Sequence, residues 1–500
     1  MFEVFEPALT GLISILELRS FIFLCAGVVL GTVGAILPGI GGPAQLAIVL
    51  PFVILMKRVD AIPFLIGMVA VGNTGNTFTS VLVSVPGGAG SQATVLDGFP
   101  MAKKGQAGRA LSAAFMVSMI GGLIGAVILV LSLPILQFLI KLMGSPELFV
   151  LTLWGVAMIG TLSAGAPLKG LATGILGVLL AVVGMDQKTG VSRFGFGWEY
   201  LWGGISLAII SLSIFGIPEM IALASRRGSV TDVQELEPGG IMEGIRDSFR
   251  HWWLVLRCSA IGAWIGFLPG LGSEAAGWFA YAHAKQTEKD GHLFGTGDVR
   301  GVIAPEASNN AKEGGALIPT LAFGVPGSAS LALLMVAFVI LGVRPGPEML
   351  TNPEQLAVTW SIVWSLIFSQ ILATALCLGL IKPTARVCFV PFFYLVPVVL
   401  ALAFISSFAA NYEFADLLML VSLGVLGFFM KENGWPRAPV LLGFVLGRRM
   451  EMFLWASTAR YGMEWLLRPG VILLLLLLAL TVVHPFILKR RRARQAKLEP

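Results

Sequence analysis

Two short stretches hold most of the polar chemistry in an otherwise apolar chain. Residues 305–327 read PEASNNAKEGGALIPTLAFGVPG, and residues 72–87 read GNTGNTFTSVLVSVPG. Glu306, Ser308, Asn309 and Asn310 carry hard oxygen donors suited to a small cation. Lys312 is the nearest positive charge for a solute carboxylate, or else a partner for Glu306 or Glu313. Asn73, Thr74, Asn76, Thr77 and Ser80 crowd five hydrogen-bonding groups into eight positions, as ligand lining or as interhelical glue. Each cluster runs on into a Pro-Gly pair, Pro86-Gly87 and Pro326-Gly327. Ser91 and Ser328 follow them with hydroxyls for a hairpin tip. A second motif, GAILPGIGGPAQ (34–45) and IGFLPGLGSEAA (265–276), brings Gly39, Gly41, Gly270, Gly272, Ser273 and Glu274 beside a proline. Backbone carbonyls freed at such a break can ligate a cation, and Glu274 is a carboxylate in an apolar setting, expensive unless it has a function. Close helix packing would also account for the glycines.

The elements that position these groups must lie in a membrane. Of 500 residues, 56% are hydrophobic and 12% charged, with a mean hydropathy of +0.86. Soluble domains carry about 25% charged residues. Apolar runs such as PGVILLLLLLALTVVHPFIL (469–488) match the roughly 20 residues a helix needs to cross a bilayer. The expected fold is an all-α polytopic membrane protein with about ten to twelve transmembrane helices and additional re-entrant hairpins. The basic tail KRRRARQAK (489–497) reads as a topology determinant, placing the C-terminus in the cytoplasm rather than binding nucleic acid.

Other chemistries are poorly served. Four cysteines lack CxxC spacing and four histidines lack HExxH spacing, which argues against a disulfide framework and a transition-metal site. No Walker A element occurs, so the chain is not itself an ATPase. GTGD (295–298) imitates an intramembrane protease element, but it sits in a polar insert without a YD partner and reads as a glycine-rich turn. No enzyme activity and no cofactor are expected.

The motifs recur in order. Pro38 and Pro269 are displaced by 231 positions and Pro86 and Pro326 by 240, the difference falling where the polar insert 285–301 lies. This predicts two internally repeated halves, 1–224 and 252–488, joined by a polar connecting loop (225–251) and followed by the tail 489–500. Paired broken segments are a common design of secondary transporters, with solute and ion held near the midplane.

The same stretches resemble the large membrane subunit of the tripartite tricarboxylate transporters, the TctA family. The resemblance rests on GTVGAILPGIGG (31–42), GNTGNTFTSVLVSVPG (72–87), TVLDGFPMAKKGQAGRAL (94–111), GFLPGLGSEAAGWFAYAHAKQ (266–286), GVIAPEASNNAKEGGALIPTLAFGVPGSAS (301–330) and GVRPGPEM (342–349). It implies a bacterial inner-membrane protein working with a small TctB-like membrane subunit and a periplasmic TctC-like solute-binding protein. It also implies ion-gradient-driven import of citrate-like carboxylates, with sodium as the coupling ion. On that reading the solute is bound by Asn73, Thr74, Asn76, Thr77, Ser80, Ser308, Asn309, Asn310, Lys312 and Ser328. The cation is bound by Gly39, Gly41, Gly270, Gly272, Ser273, Glu274 and Glu306. A channel is the competing class, since re-entrant loops also build filters; an intramembrane enzyme is a weaker alternative.

Overall fold

The computed structural model describes residues 2–36, 42–53, 56–82, 89–162, 167–186, 188–206, 209–210, 213–214, 217–218, 220–221, 239–268, 272–387, 397, 400–401, 404–405, 407–408 and 413–479. Almost every element among them is helical. The exception is a ribbon of two-residue strands, β1 (Gly184–Met185) and β2 (Ser192–Arg193), paired antiparallel. Helices Leu18–Ile36, Ala107–Leu142, Pro353–Pro383 and Phe414–Glu432 are long and apolar enough to span a bilayer. Leu168–Ala181, Trp252–Phe267, Ser330–Ile340 and Pro469–Ala479 are apolar but shorter.

The chain forms two compact units, residues 1–137 with 208–429, and residues 138–207 with 430–500. Each takes one segment from the first half of the sequence and one from the second. The first unit begins with α1 (Ala8–Leu16), α2 (Leu18–Ile36), α3 (Gly42–Val53), α4 (Arg58–Gly75), α5 (Thr77–Leu82), α6 (Val95–Lys103) and most of α7 (Ala107–Leu142). In the second unit, α8 (Ser145–Leu162) and α9 (Pro167–Ala181) come before the ribbon.

Returning to the first unit, the chain forms α10 (Ile241–Arg250), α11 (Trp252–Phe267), α12 (Gly272–Thr287), α13 (Arg300–Phe323) and α14 (Ala329–Ile340). Then come α15 (Glu348–Thr351), α16 (Pro353–Val387) and most of α17 (Phe414–Glu432). The second unit closes with α18 (Ala438–Tyr461) and α19 (Pro469–Ala479).

Part of the expected connecting loop is ordered differently. Residues 241–250, IMEGIRDSFR, form the amphipathic α10, because their apolar positions recur at helical spacing. Arg109 at the start of α7 binds its Asp247 at 2.7 Å.

Glycine sets the closest helix contacts in the first unit. At Gly31 of α2 a Cβ would lie 2.7 Å from the Met68 carbonyl of α4, and at Gly262 of α11 one would collide with the Ser308 carbonyl of α13. Without side chains at these points the backbones approach closely, the usual route to helix association in lipid. Gly75 faces Thr32, and Gly315 faces Ala263, across the same two interfaces. In the second unit α9 and α18 touch through Gly177 against Val440 and Gly443 against Gly174.

Candidate functional site

Helix α13 is buried over almost its whole length, although it carries Glu306, Ser308, Asn309, Asn310, Lys312 and Glu313. A helix so enclosed must satisfy its polar side chains from its neighbours. Glu306 is fully buried; Thr94 Oγ1 donates to its Oε1 at 2.6 Å and Ser118 Oγ donates to Oε2 at 3.4 Å. It has no ion-pair partner among the described residues. One turn further on, Asn310 Nδ2 donates to Thr74 Oγ1 at 2.8 Å and to Gln370 Oε1 of α16 at 2.7 Å.

The next turn holds a charged triad. Lys312 Nζ lies 3.0 Å from Glu313 Oε1, and Asn73 Nδ2 donates to the same oxygen at 2.7 Å. Lys312 also donates to Asn73 Oδ1 at 3.4 Å. The one cation in the cluster is therefore neutralised by its neighbour in sequence.

Among the described residues several buried atoms beside these contacts have no hydrogen-bond partner: Asn76 Oδ1, both amide atoms of Asn309, Asn310 Oδ1 and Gln370 Nε2; the Thr77 hydroxyl lies by the Glu306 carboxylate without good hydrogen-bond geometry. Leaving a buried polar atom unpaired costs about 1–3 kcal/mol. Contributed by the α4–α5 junction, α13 and α16, they are groups a ligand could pair with. Acceptor oxygens predominate, which suits a cation, and the two amide nitrogens suit an anion's oxygens.

The chain is stretched where it supplies the first cluster. Between α4 and α5 the bonds Asn76 N to Gly72 O and Ser80 N to Asn76 O are both 3.4 Å. Thr79 and Ser80 donate to the Asn76 carbonyl instead of facing the open atoms, and Ser80 also bonds Ser91 at 2.8 Å. Ser308 returns its hydroxyl to the Pro305 carbonyl. Ser328 caps α14 by accepting from Leu331 N at 3.2 Å, after a turn in which Gly324 is left-handed and Pro326 and Gly327 are non-helical. Of the expected solute ligands, Asn73, Thr74, Asn76, Thr77, Asn309, Asn310 and Lys312 therefore line the α4–α5, α13 and α16 contact. Ser80, Ser308 and Ser328 are engaged in local bonds.

Of the expected cation ligands, Glu306 joins the cluster. Gly39, Gly41, Gly270, Pro86 and Gly87 lie outside the described residues. Gly272, Ser273 and Glu274 open α12, and only their backbone is described. Sequence reasoning did not identify Thr94, Ser118 or Gln370 as members. Gln370 was the findable one, a carboxamide within a long apolar span.

A second polar node lies in the same unit. Asp97 of α6 is fully buried, and its Oδ1 accepts from the amides of Gly295, Gly297 and Asp298 at 2.9, 2.8 and 2.9 Å. Tyr281 Oη donates to Oδ2 at 2.9 Å. The GTGD element is thus a glycine-rich turn, with Gly295 and Gly297 at positive φ so that successive amides converge on one carboxylate. Asp298 binds Arg300 at 2.6 Å. Burial pushes its carboxyl up, but the Arg300 side chain and backbone N–H outweigh it and hold it below the ordinary range.

Residues 21–442 match the family model described as the tripartite tricarboxylate transporter TctA family. The chain belongs to that family. Over 455 residues it is 32% identical to an uncharacterised 52.8 kDa protein in the TAR-I ttuC' 3' region of Agrobacterium vitis, covering 90% of this chain and 88% of the relative. A second Agrobacterium vitis relative, an uncharacterised protein in the TAR-II ttuC' 3' region, is 34% identical over 193 residues, 39% of this chain and 79% of the relative. No solved structure matches. Membership in the TctA family, together with the apolar helices, makes the chain a multi-pass membrane component of a tripartite transporter.

Proposed function

We propose that this TctA-family chain is the large translocation subunit of a binding-protein-dependent secondary transporter that imports small di- and tricarboxylates with a cation, sodium in the first instance. A small TctB-like membrane subunit and a periplasmic TctC-like binding protein complete the system in the bacterial inner membrane. The C-terminal tail faces the cytoplasm, and about ten to twelve crossings with two re-entrant hairpins complete the fold.

The observation that carries this reading is the group of unpaired buried atoms around Asn309, Asn310 and Gln370. Electrostatics supplies the coupling argument. Lys312 and Glu313 form an ion pair, so the cluster holds no spare positive charge whatever the state of Glu306. A dicarboxylate would add two more negative charges in a low-dielectric setting, which is prohibitive without compensation. Lys312 cannot provide it, being held by Glu313 and Asn73. A co-transported cation can, with Glu306, Thr77 Oγ1 and the carboxamide oxygens of Asn76, Asn309 and Asn310 as its available donors.

The internal duplication also gains support from helix contacts. Gly31 against Met68 and Gly262 against Ser308 differ by the two sequence displacements seen in the motifs, 231 (31 to 262) and 240 (68 to 308). Thr32 with Gly75 and Ala263 with Gly315 repeat the relation. The hydrogen bond between Asn73 and Glu313 joins residues 240 positions apart, hence equivalent positions of the two repeats.

The test is uptake of labelled carboxylates into cells carrying all three components, with the sodium gradient intact or collapsed. Asn309→Ala and Gln370→Ala should abolish gradient-dependent uptake while leaving correctly inserted, folded protein. Normal uptake by both would remove this cluster from the pathway.

A further inference from the structure

The second unit holds a cavity of about 430 Å³ that none of the polar-cluster residues lines. One wall is a single face of α18, where Arg448, Glu451, Met452 and Trp455 recur at helical spacing. The other is the β1–β2 ribbon with its turn, bringing Asp186, Lys188 and Arg193. Three of the five charges are already spent. Arg193 grips Glu451 through both guanidinium nitrogens, at 2.6 and 3.1 Å. Asp186 shapes its own turn, accepting from Lys188 N at 2.9 Å and Thr189 Oγ1 at 2.8 Å.

Two cations remain uncommitted. Lys188 Nζ sits 4.0 Å from the Trp455 ring centroid, and Arg448 lies over Phe444 at 5.5 Å. Neither has an acidic partner among the described residues. Arg448 reaches its position because residue 204 is glycine: a Cβ there would stand 2.6 Å from its Nη2. A cavity of this size with two unpaired cations and a net charge of +1 (Arg448, Lys188 and Arg193 against Glu451 and Asp186) calls for an anion.

The strand β2 then runs into a loop that displays four aromatic rings to the outside: Phe194, Phe196, Trp198 and Trp202. Phe196 is 88% exposed. Phe194 and Phe196 are held at φ of 52° and 47°, a conformation that non-glycine residues rarely adopt. Outward Trp rings, here Trp198 and Trp202, are enriched in the headgroup layer of membrane proteins, and basic pockets in that layer take lipid headgroups.

We propose that this cavity binds the headgroup phosphate of an anionic phospholipid, with Arg448 and Lys188 as its two ligands and the 194–202 loop seated in the membrane interface. It rests on the chain being a membrane protein, but not on the transported solute. Two cations near a bilayer surface give about a thirtyfold preference for anionic over neutral lipid.

The full-length protein is reconstituted in nanodiscs of phosphatidylcholine with or without phosphatidylglycerol, and bound lipid is counted by native mass spectrometry after release. The wild type should retain phosphatidylglycerol about thirtyfold over phosphatidylcholine and melt at a higher temperature in its presence. The Arg448→Gln/Lys188→Gln variant should lose both, whereas Arg448→Lys should keep most of each. Lys188→Gln alone, at an exposed side chain, serves if the double variant does not fold and should halve the preference on a logarithmic scale. Equal retention by wild type and variants overturns the proposal. So does protection by inorganic phosphate in neutral nanodiscs equal to that by phosphatidylglycerol, which would assign the cavity to a soluble anion. An aromatic loop that becomes protected only when the small membrane subunit is added, with no lipid preference, overturns it as well.

Discussion

The Asp97 node offers a prediction whose size follows from its geometry. Replacing Asp97 by Asn keeps the shape and one acceptor oxygen but removes the charge. Three backbone amides, those of Gly295, Gly297 and Asp298, then donate to a neutral oxygen. A bond to a charged acceptor contributes about 1.5–3 kcal/mol and one to a neutral acceptor about 0.5–1.5, so each loses about 1 kcal/mol. The new amide nitrogen also faces the Tyr281 hydroxyl, which must turn its proton away. The total is about 3 kcal/mol, or a factor of about 150 in the opening equilibrium of the turn.

Hydrogen exchange of a peptide covering 294–300 reads that equilibrium directly, because exchange from a locally opened state follows its population. The expected result for Asp97→Asn is exchange about a hundredfold faster in this peptide, with the middle of α7 unchanged. Tyr281→Phe removes one bond and should give about tenfold or less. Gly301→Ala should act like Asp97→Asn, since a Cβ there would overlap the carboxylate. Exchange within threefold of wild type in Asp97→Asn would refute the claim that this carboxylate holds the insert in place.

Four further outcomes are expected. Glu306→Gln keeps an acceptor for Thr94 but removes a charge, so carboxylate uptake should lose its dependence on the sodium gradient; an unchanged sodium dependence would take Glu306 out of the cation site. Asn310→Ala breaks two bonds and leaves Thr74 and Gln370 unpaired, costing about 2–4 kcal/mol in thermal or denaturant unfolding and abolishing uptake. Gly262→Leu drives a side chain into the Ser308 backbone and should lower stability by about 3 kcal/mol or more, read as loss of monodisperse protein on gentle heating. For Asp298 the folded carboxyl titrates below its unfolded value, so the ion pair with Arg300 is fully present above about pH 4 and lost as pH falls through the folded value. Proteolysis of the insert should accelerate below that pH in wild type and become pH-independent there in Asp298→Asn.

Much of this was legible in the residues because membrane chemistry makes polar groups conspicuous. Glu306, Asn309 and Asn310 stand out from an apolar background, and the two polar stretches touch where Asn310 bonds Thr74 and Asn73 bonds Glu313. Thr94 and Ser118 were not legible: hydroxyls are common in membrane helices, and only folding brings these two onto Glu306. Spacing left Lys312 open to a solute carboxylate, to Glu306 or to Glu313, and the fold places it on Glu313. Asp97 was hidden for a different reason. Its partners are backbone amides, which carry no side-chain signature beyond the glycines that let them converge. The helix α10 was missed because charge and a Pro-Gly-Gly run outweighed its short apolar periodicity.

The proposed duplication also explains why the polar cluster need not be twofold. Shifted by 240 positions, Glu306, Asn309, Asn310 and Lys312 fall on Ile66, Val69, Ala70 and Gly72, while Thr74, Asn76 and Thr77 fall on Gly314, Ala316 and Leu317. The two sets occupy opposite ends of the repeat and overlap at one position, Asn73 with Glu313, which is where they hydrogen-bond. One half thus supplies the carboxylates and most carboxamides, and the other supplies hydroxyls. A carboxylate at Ile66, which is buried, would add a second negative charge to the interior without a cation beside it. On the proposed duplication, divergence of the repeats would leave a single asymmetric site on a near-symmetric frame. A variant that restores symmetry, Ile66→Glu, should therefore bury a second unpaired carboxylate and cost several kcal/mol, destroying the fold rather than creating a second site. Recovery of folded, transporting Ile66→Glu protein would contradict both the placement of Glu306 and the displacement that relates the halves.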